Sequence, residues 1–260
     1  MSSQEHRKLN QMLQAIPKGA VMTTPRLTEL GVSPQLARKY VQNGWLDRLG
    51  SGAFSRCGDS PDWLGGVYAL QSQLKLTVHV GAVSALELQG RAHFVPLGEG
   101  RRVTLVSDRR EHLPKWFTVH LWSVVPRHRC IMLFDEFPGG STSSLNCGDF
   151  SVAVSAPERA IMECMHLARS NSDVEHALLL MEGLSTLRPS VVQLLLENCT
   201  SVKAKRLFLW SAERVQHSWL EQLRLSRVEL GKGKRQLFKG GQLHPKYLIT
   251  VPPEEELPHV

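Results

Sequence analysis

Apolar residues recur at helical spacing near the start of the chain. Leu9, Met12 and Ile16 follow one another at intervals of three and four residues, and Pro17 and Gly19 end the pattern. This spacing predicts an amphipathic helix from about residue 4 to 16.

Two shorter helices are predicted next, separated by a tight turn. Thr24 is a suitable N-cap for a helix over PRLTELG, and Gly31 can close it in the left-handed conformation. Ser33 and Pro34 then repeat the same start signal for a third helix that ends before Gly44. Two short helices joined by a glycine-containing turn are typical of a helix-turn-helix.

The third predicted helix has distinct apolar and polar faces. Its apolar stripe consists of Leu36, Ala37, Tyr40 and Val41. The residues predicted to point outward are Gln35, Arg38, Lys39 and Gln42. Arginine and glutamine can read base edges, and lysine and arginine neutralise phosphate, so this face suits the major groove of DNA. The alternative is an ordinary solvated helix face.

A β-hairpin is predicted directly after this helix, in the segment WLDRLGSGAFSR. Apolar pairs flank a Gly-Ser-Gly turn at hairpin spacing. We call this hairpin, residues 45–56, the wing. Its projecting residues are predicted to contact the DNA backbone, and they are Arg48, Ser51 and Arg56. Residues 1–60 are therefore predicted to form a winged helix-turn-helix domain that binds double-stranded DNA.

The rest of the chain predicts a second domain, residues 62–260. Helices are expected at about 63–73 and 81–90, followed by strands at 101–108, 117–125 and 130–137. Helical periodicity then occupies residues 156–222, and the short segments KRQLFKG and KYLITV are predicted to be extended, the first within a basic hairpin. The predicted fold class is α+β, with a winged helix-turn-helix followed by a larger mixed domain.

Positive charge is concentrated towards the two ends of the sequence. The net charge is +7 and the pI about 9.3, a balance that favours polyanionic partners. Residues 1–60 hold eight Lys/Arg against four Asp/Glu, whereas residues 200–246 hold eleven against three. A second basic surface is predicted from Lys203, Lys205, Arg206, Lys232, Lys234 and Arg235, with Lys239 and Lys246 nearby. It would contact nucleic acid or an acidic partner, or be a solvated face.

The sequence offers little support for catalysis. The five cysteines are widely spaced and form no CxxC pair, so we expect no metal and no cofactor. No Walker loop and no GxSxG motif is present, and we predict a protein that is not an enzyme. The alternative is a nuclease in which Asp135, Glu136 and Glu158 hold a metal ion. Without a long apolar run or a signal-peptide pattern, the chain is expected to be cytoplasmic, with no membrane partner.

Three long segments extend these observations to nearly the whole chain: SAPERAIMEC, KAKRLFLWSAERVQHSWL and LGKGKRQLFKGGQLHPKYLITVP. Together with the winged N-terminal domain, they resemble the AbiEi family, the antitoxins of abortive-infection type IV toxin-antitoxin systems. The resemblance implies a repressor that binds repeats in its own promoter and counteracts a nucleotidyltransferase-type toxin, without necessarily forming a stable complex with it. It would place DNA reading on the exposed face of the third helix, with Arg48 and Arg56 as wing contacts. It would place antitoxin activity in residues 62–260, where the candidate residues are Lys203, Arg206, Lys232, Lys234 and Arg235. A plain regulator without a toxin partner is the remaining alternative.

Overall fold

A computed structural model describes residues 3–92, 100–135, 138–238 and 240–257. The chain divides into two compact units. The first contains residues 1–79, 97–128 and 144–153, and the second contains residues 80–96, 129–143 and 154–260. The fold mixes helices and strands throughout, which confirms the predicted α+β class.

The N-terminal part of the first unit contains three helices and a small sheet. Its elements are α1 (Ser3–Ala15), β1 (Met22–Thr23), α2 (Thr24–Glu29), α3 (Pro34–Gln42), β2 (Leu46–Gly50) and β3 (Ala53–Arg56). The three strands are antiparallel in the order β1-β3-β2, and β2 and β3 form the predicted hairpin.

Local sequence signals fix the two short helices. The Ser33 hydroxyl accepts a hydrogen bond from the Leu36 N–H at the start of α3, and Gly31 adopts a φ of 76° in the turn before it. The predicted N-cap at Thr24 is wrong by one residue. Thr23 holds the cap position of α2 without capping it, because its hydroxyl donates to Gln73 Oε1 instead.

The apolar faces of these elements meet in one core. It is built from α1, α2, α3 and the sheet by Leu9, Met12, Ile16, Met22, Leu27, Val32, Ala37, Tyr40, Leu46 and Phe54. Burial of these side chains supplies the main favourable free energy of the three-helix arrangement. The polar face of α3 is left outside the core.

The remaining elements follow in chain order. They are α4 (Trp63–Tyr68), which continues as a π-helix (Ala69–Gln73), β4 (His79–Val80), α5 (Ala82–Leu88), β5 (Arg102–Ser107), α6 (Lys115–Val119), β6 (Val125–Cys130), β7 (Thr142–Asn146), β8 (Ser151–Ser155), α7 (Pro157–Leu167), α8 (Asn171–Glu182), α9 (Pro189–Asn198), α10 (Val202–Val215), β9 (Gln242–His244) and β10 (Ile249–Val251). Short 3-10 turns lie at Ser218–Gln222, Leu225–Arg227 and Glu254–Glu256. The largest described sheet has five strands in the order β6-β5-β4-β8-β7.

Two of the three predicted strands in the middle of the chain are wrong. Segment 101–108 forms β5 as expected, but segment 117–125 contains the end of the short helix α6 and only the first residue of β6. Strand β6 ends at Cys130. After it, the described part of segment 130–137 forms a single isolated β-bridge, between Phe134 and Cys199. The C-terminal hairpin pairs β9 with β10, so the predicted strand KRQLFKG contributes only the isolated bridge of Arg235 to Ile249.

Helix α7 lies at the centre of the second unit and carries a buried ion pair. The Arg159 guanidinium donates to Glu163 at 2.7 Å, and both side chains are fully buried. Glu163 also accepts the Ala82 N–H at 2.7 Å and the Ser155 hydroxyl. These bonds offset the desolvation of the carboxylate and tie α7 to the start of α5. Among the described residues, none of the helices combines the length and apolar character needed to cross a membrane.

Candidate nucleic-acid interface

Helix α3 presents a continuous polar row to solvent. The four residues predicted to read DNA, Gln35, Arg38, Lys39 and Gln42, are all exposed. Ala37 and Tyr40 are buried on the opposite side of the helix. The cap at Ser33 and the Tyr40 side chain therefore fix which face of α3 points outward.

A groove of about 370 Å³ runs between α3 and the wing. Its floor is apolar and is formed by Leu27, Val32, Ala37, Val41 and Phe54. Its rim carries Arg38 and Gln42 from α3 and Arg48 from the wing, and no Asp or Glu is among the described residues that line it. The groove thus brings donors from two elements together in a region without negative charge.

The wing itself holds its exposed residues in a tight turn. Ser51 is exposed at the tip, and Gly52 next to it adopts a φ of 79°, a conformation that favours glycine. Arg48 is exposed and donates from Nε to the Gly50 carbonyl at 3.2 Å. The predicted contacts of Arg48 and Ser51 with the DNA backbone stay a prediction.

Arg56 contacts the end of α1. Its Nη2 donates to the carbonyl oxygens of Leu13 and Ile16, at the C-terminal end of α1. These carbonyls have no partner within the helix, so the guanidinium satisfies them. Arg56 therefore has a role within the fold, and its contact with DNA stays a prediction.

Half of the second basic surface predicted from the sequence is internal. Lys205 and Arg206 are 4% and 2% exposed. Lys203 is half-buried and donates to the Ala168 carbonyl at 2.6 Å, next to the end of α7. Burial also lowers the pKa of the Lys203 ammonium. These three residues stabilise the second unit and do not form an exposed surface.

The other three residues of that surface remain exposed. Lys232, Lys234 and Arg235 lie on the loop that follows residue 230. This loop is wrapped around Arg206, whose guanidinium donates to the carbonyls of Leu230, Gly231, Gly233 and Leu248. Lys239 lies outside the described residues. We call the three exposed residues, Lys232, Lys234 and Arg235, the basic loop.

Two of the three carboxylates proposed for a nuclease, Asp135 and Glu158, lie in the described structure. Glu158 is buried and accepts hydrogen bonds from the Arg188 main chain and guanidinium, each at 2.9 Å. Burial alone would raise the pKa of Glu158, but the hydrogen bonds from Arg188 outweigh it and lower the pKa. Glu136 lies outside the described residues. Among those described, no group of three or more His, Cys, Asp or Glu side chains could hold a metal ion.

The net charge is distributed differently between the two units than it is along the sequence. The first unit holds 15 Lys/Arg and 9 Asp/Glu, a net charge of +6, and the second holds 16 and 15, a net charge of +1. Charge counted along the sequence placed the larger excess at the C-terminal end, because acidic residues elsewhere in the second unit were not counted with it. The excess positive charge therefore belongs to the unit that carries α3 and the wing.

One solved structure is similar in fold to this chain. The crystal structure of the RV2827C protein from Mycobacterium tuberculosis matches with a TM-score of 0.57 at 16% identity, over 96% of this chain and 92% of that chain. At this identity, the likeness is one of fold alone. No curated protein matches the chain.

Family models match nearly the whole sequence. The model of the AbiEi antitoxin N-terminal domain, a transcriptional regulator, matches residues 5–97. The model described as a transcriptional regulator and AbiEi antitoxin of a type IV toxin-antitoxin system matches residues 100–252. The chain therefore belongs to the AbiEi antitoxin family of transcriptional regulators in type IV toxin-antitoxin systems.

Proposed function

We propose that this protein is a DNA-binding repressor that reads double-stranded DNA with α3 and the wing. One observation carries the proposal: Gln35, Arg38, Lys39 and Gln42 form one exposed row on α3, beside a groove rimmed by Arg48. The +6 charge of the same unit supports it, because neutralising phosphates supplies much of the affinity for DNA.

Base reading and backbone contacts are assigned to different side chains of the proposed interface. Arg38 and Gln42 lie one helical turn apart at the groove, and they can form paired hydrogen bonds with guanine and adenine, respectively. Gln35 and Lys39 extend the row along the helix. Arg48 and Ser51 in the wing contact the backbone and position α3 without reading sequence.

Binding to the DNA directly upstream of its own reading frame tests this proposal. The double variant Arg38→Ala/Lys39→Ala should lose specific binding while retaining its fold by circular dichroism. The matched control is Lys18→Ala/Lys75→Ala, which also removes two exposed positive charges from the first unit. If the control weakens binding as much as the α3 variant does, only the net charge matters and the proposed reading face is wrong.

The proposed target is the promoter of its own operon, and the proposed partner is a nucleotidyltransferase-type toxin. Family membership supports both roles, since the family comprises regulators that are also antitoxins. If a toxin of this type is encoded next to this gene, expression of the protein should restore growth to cells that express the toxin. The Arg38→Ala/Lys39→Ala variant should still restore growth when expressed from an unrelated promoter, because antitoxin activity is assigned to the remainder of the chain.

The basic loop is the proposed contact surface of the second unit. Lys232, Lys234 and Arg235 are exposed there, and the buried Arg206 holds the neighbouring main chain through the carbonyls of Leu230, Gly231 and Gly233. Three cations on a fixed loop can bind phosphates without reading bases. We assign the loop a nonspecific contribution to nucleic-acid binding.

A further inference from the structure

Helix α6 packs closely against the wing within the first unit. A Cβ atom at Gly50 would lie 2.9 Å from Trp116 Cβ and 3.2 Å from Trp116 Cα. Trp116 and Phe117 are themselves buried. The backbone of the wing therefore lies directly on α6, an approach that only glycine permits.

A second groove, of about 520 Å³, lies where these two elements meet. The wing lines it with Leu49, Gly50 and Ser51, and α6 and the residues after it line it with Lys115, Trp116, Val119, His120 and Leu121. The first groove is lined by Arg48, Gly52 and Phe54 of the same hairpin. The wing thus has a groove against α3 and another against α6.

The second groove combines positive charge with exposed apolar side chains. Lys115 is exposed, and among the described residues it forms no ion pair. No Asp or Glu is among the described residues that line the groove. Val119 and Leu121 are 74% and 95% exposed, so two large apolar side chains beside Lys115 are available for contact.

We infer that α6 is a second DNA-contacting element, which extends the interface from the wing along the duplex. Lys115 binds a backbone phosphate beside the phosphates contacted by the wing tip, and Val119 and Leu121 lie at the minor groove. Apolar side chains contact the minor groove in many DNA-binding proteins, where they insert between base steps. The surface is continuous with the proposed α3 and wing interface through Ser51, and the inference rests on that proposed function.

Charge complementarity selects DNA as the occupant. The first unit, to which α6 belongs, carries a net charge of +6. A duplex seated on α3 and the wing brings its next phosphates to the neighbouring surface, because phosphates follow one another every few ångströms along each strand. Lys115 is the cation that the second groove offers to them.

The test measures binding of Lys115→Ala to the upstream DNA fragment across a salt series. Affinity should fall several-fold, and the slope of log K against log salt should fall by about 0.9, the contribution of one phosphate contact. Lys115→Arg should restore both quantities.

Lys18→Ala is the control, since it removes one exposed charge from a segment whose main chain is bonded to Asp149 and Asp59, where a phosphate would be repelled. Hydroxyl-radical footprinting should show that Lys115→Ala loses protection only at the sugars beside the wing contact.

Failure of the inference about α6 and failure of the proposed function give different results. If Lys115→Ala behaves like Lys18→Ala while Arg38→Ala/Lys39→Ala abolishes binding, the role of α6 is overturned and the proposed function stands. If the wild-type protein does not bind the fragment, both fall. If Leu121→Asp changes the sedimentation coefficient but not the affinity for DNA, the groove is an interface between copies of the chain, and the inference is overturned.

Discussion

At the scale of single residues, buried cations in this protein organise the main chain. The Arg206 guanidinium donates to four carbonyl oxygens, three of them in the loop that presents Lys232, Lys234 and Arg235. Burial lowers the pKa of Arg206, and the nearby Arg235 lowers it further. The four hydrogen bonds offset this cost and fix the shape of the loop.

Arg206→Ala should lower the free energy of unfolding by about 3 kcal/mol, because hydrogen bonds to a charged donor are lost and the buried carbonyls are left without it. Urea unfolding followed by circular dichroism measures this. The matched control is Arg235→Ala, an exposed arginine in the same loop, which should change stability by less than about 0.5 kcal/mol. Equal effects of the two substitutions would show that Arg206 does not organise the loop.

The pair formed by Glu158 and Arg188 predicts a pH dependence of stability. The pKa of Glu158 is lowered from its ordinary value of 4.5 in the folded protein, so the folded state binds the proton more weakly than the unfolded state does. The stabilisation is complete well above pH 4.5 and is lost as the pH falls through the folded-state pKa.

Glu158→Gln should therefore destabilise the protein at pH 7 by about 1 kcal/mol or more, and the difference from wild type should narrow below about pH 4.5. Thermal unfolding across pH 3 to 8 measures the difference, with Glu182→Gln, an exposed glutamate, as the control. A difference that stayed constant across this range would contradict the assigned role of the carboxylate.

The exposed face of a helix was predictable where the helix had a strong periodic pattern. The outward residues of α3 follow from the spacing of Ala37 and Tyr40, and the structure exposes them. The sequence could not show that Arg56 reaches the end of α1, 40 and 43 residues away, or that a later loop covers Arg206. Both outcomes depend on contacts between segments far apart in the sequence.

At the scale of elements, the position of the wing depends on its two neighbours. The groove against α3 places Arg48 opposite Arg38 and Gln42, and contact with α6 supports the hairpin from Trp116. The close approach of Gly50 to Trp116 allows the contact between the wing and α6.

Gly50→Ala should push the wing away from α6, because the added methyl group would overlap Trp116. We expect a loss of about 1–3 kcal/mol of stability, typical of overpacking, and weaker binding to the upstream DNA. Gly139→Ala is the control, since a Cβ there meets nothing within 4 Å. Unchanged stability and DNA affinity in Gly50→Ala would show that α6 does not support the wing.

Most helices were predictable from their caps and periodicity, whereas only β5 of the large sheet was. Ser33, Pro34 and Gly31 mark the boundaries of their elements in the sequence. Strand β6 lies at the edge of its sheet, and most of its residues are exposed. It therefore has no alternating apolar pattern to detect. Pro114 and the buried pair Trp116 and Phe117 indicate a helix at α6, but the aromatic and β-branched residues around them favoured a strand.

At the scale of the whole molecule, positive charge and the proposed reading face belong to one unit. The net charge of +6 is carried by residues from three separate stretches of sequence. The second unit is close to neutral, and the basic loop is its local exception. The sequence alone could not group residues 97–128 with the N-terminal part of the chain, because that grouping depends on tertiary packing.

We assign the sequence specificity of DNA binding to α3, positioned by the wing, and not to the basic loop. The most direct measurement is the ratio of affinities for the upstream DNA fragment and for a scrambled duplex, in two variants that each lose three charges. Arg38→Ala/Lys39→Ala/Arg48→Ala should bring the ratio close to one. Lys232→Ala/Lys234→Ala/Arg235→Ala should keep the ratio while weakening both affinities and flattening the salt dependence. A ratio that collapses in the second variant and persists in the first would contradict the assignment of α3 as the reading helix.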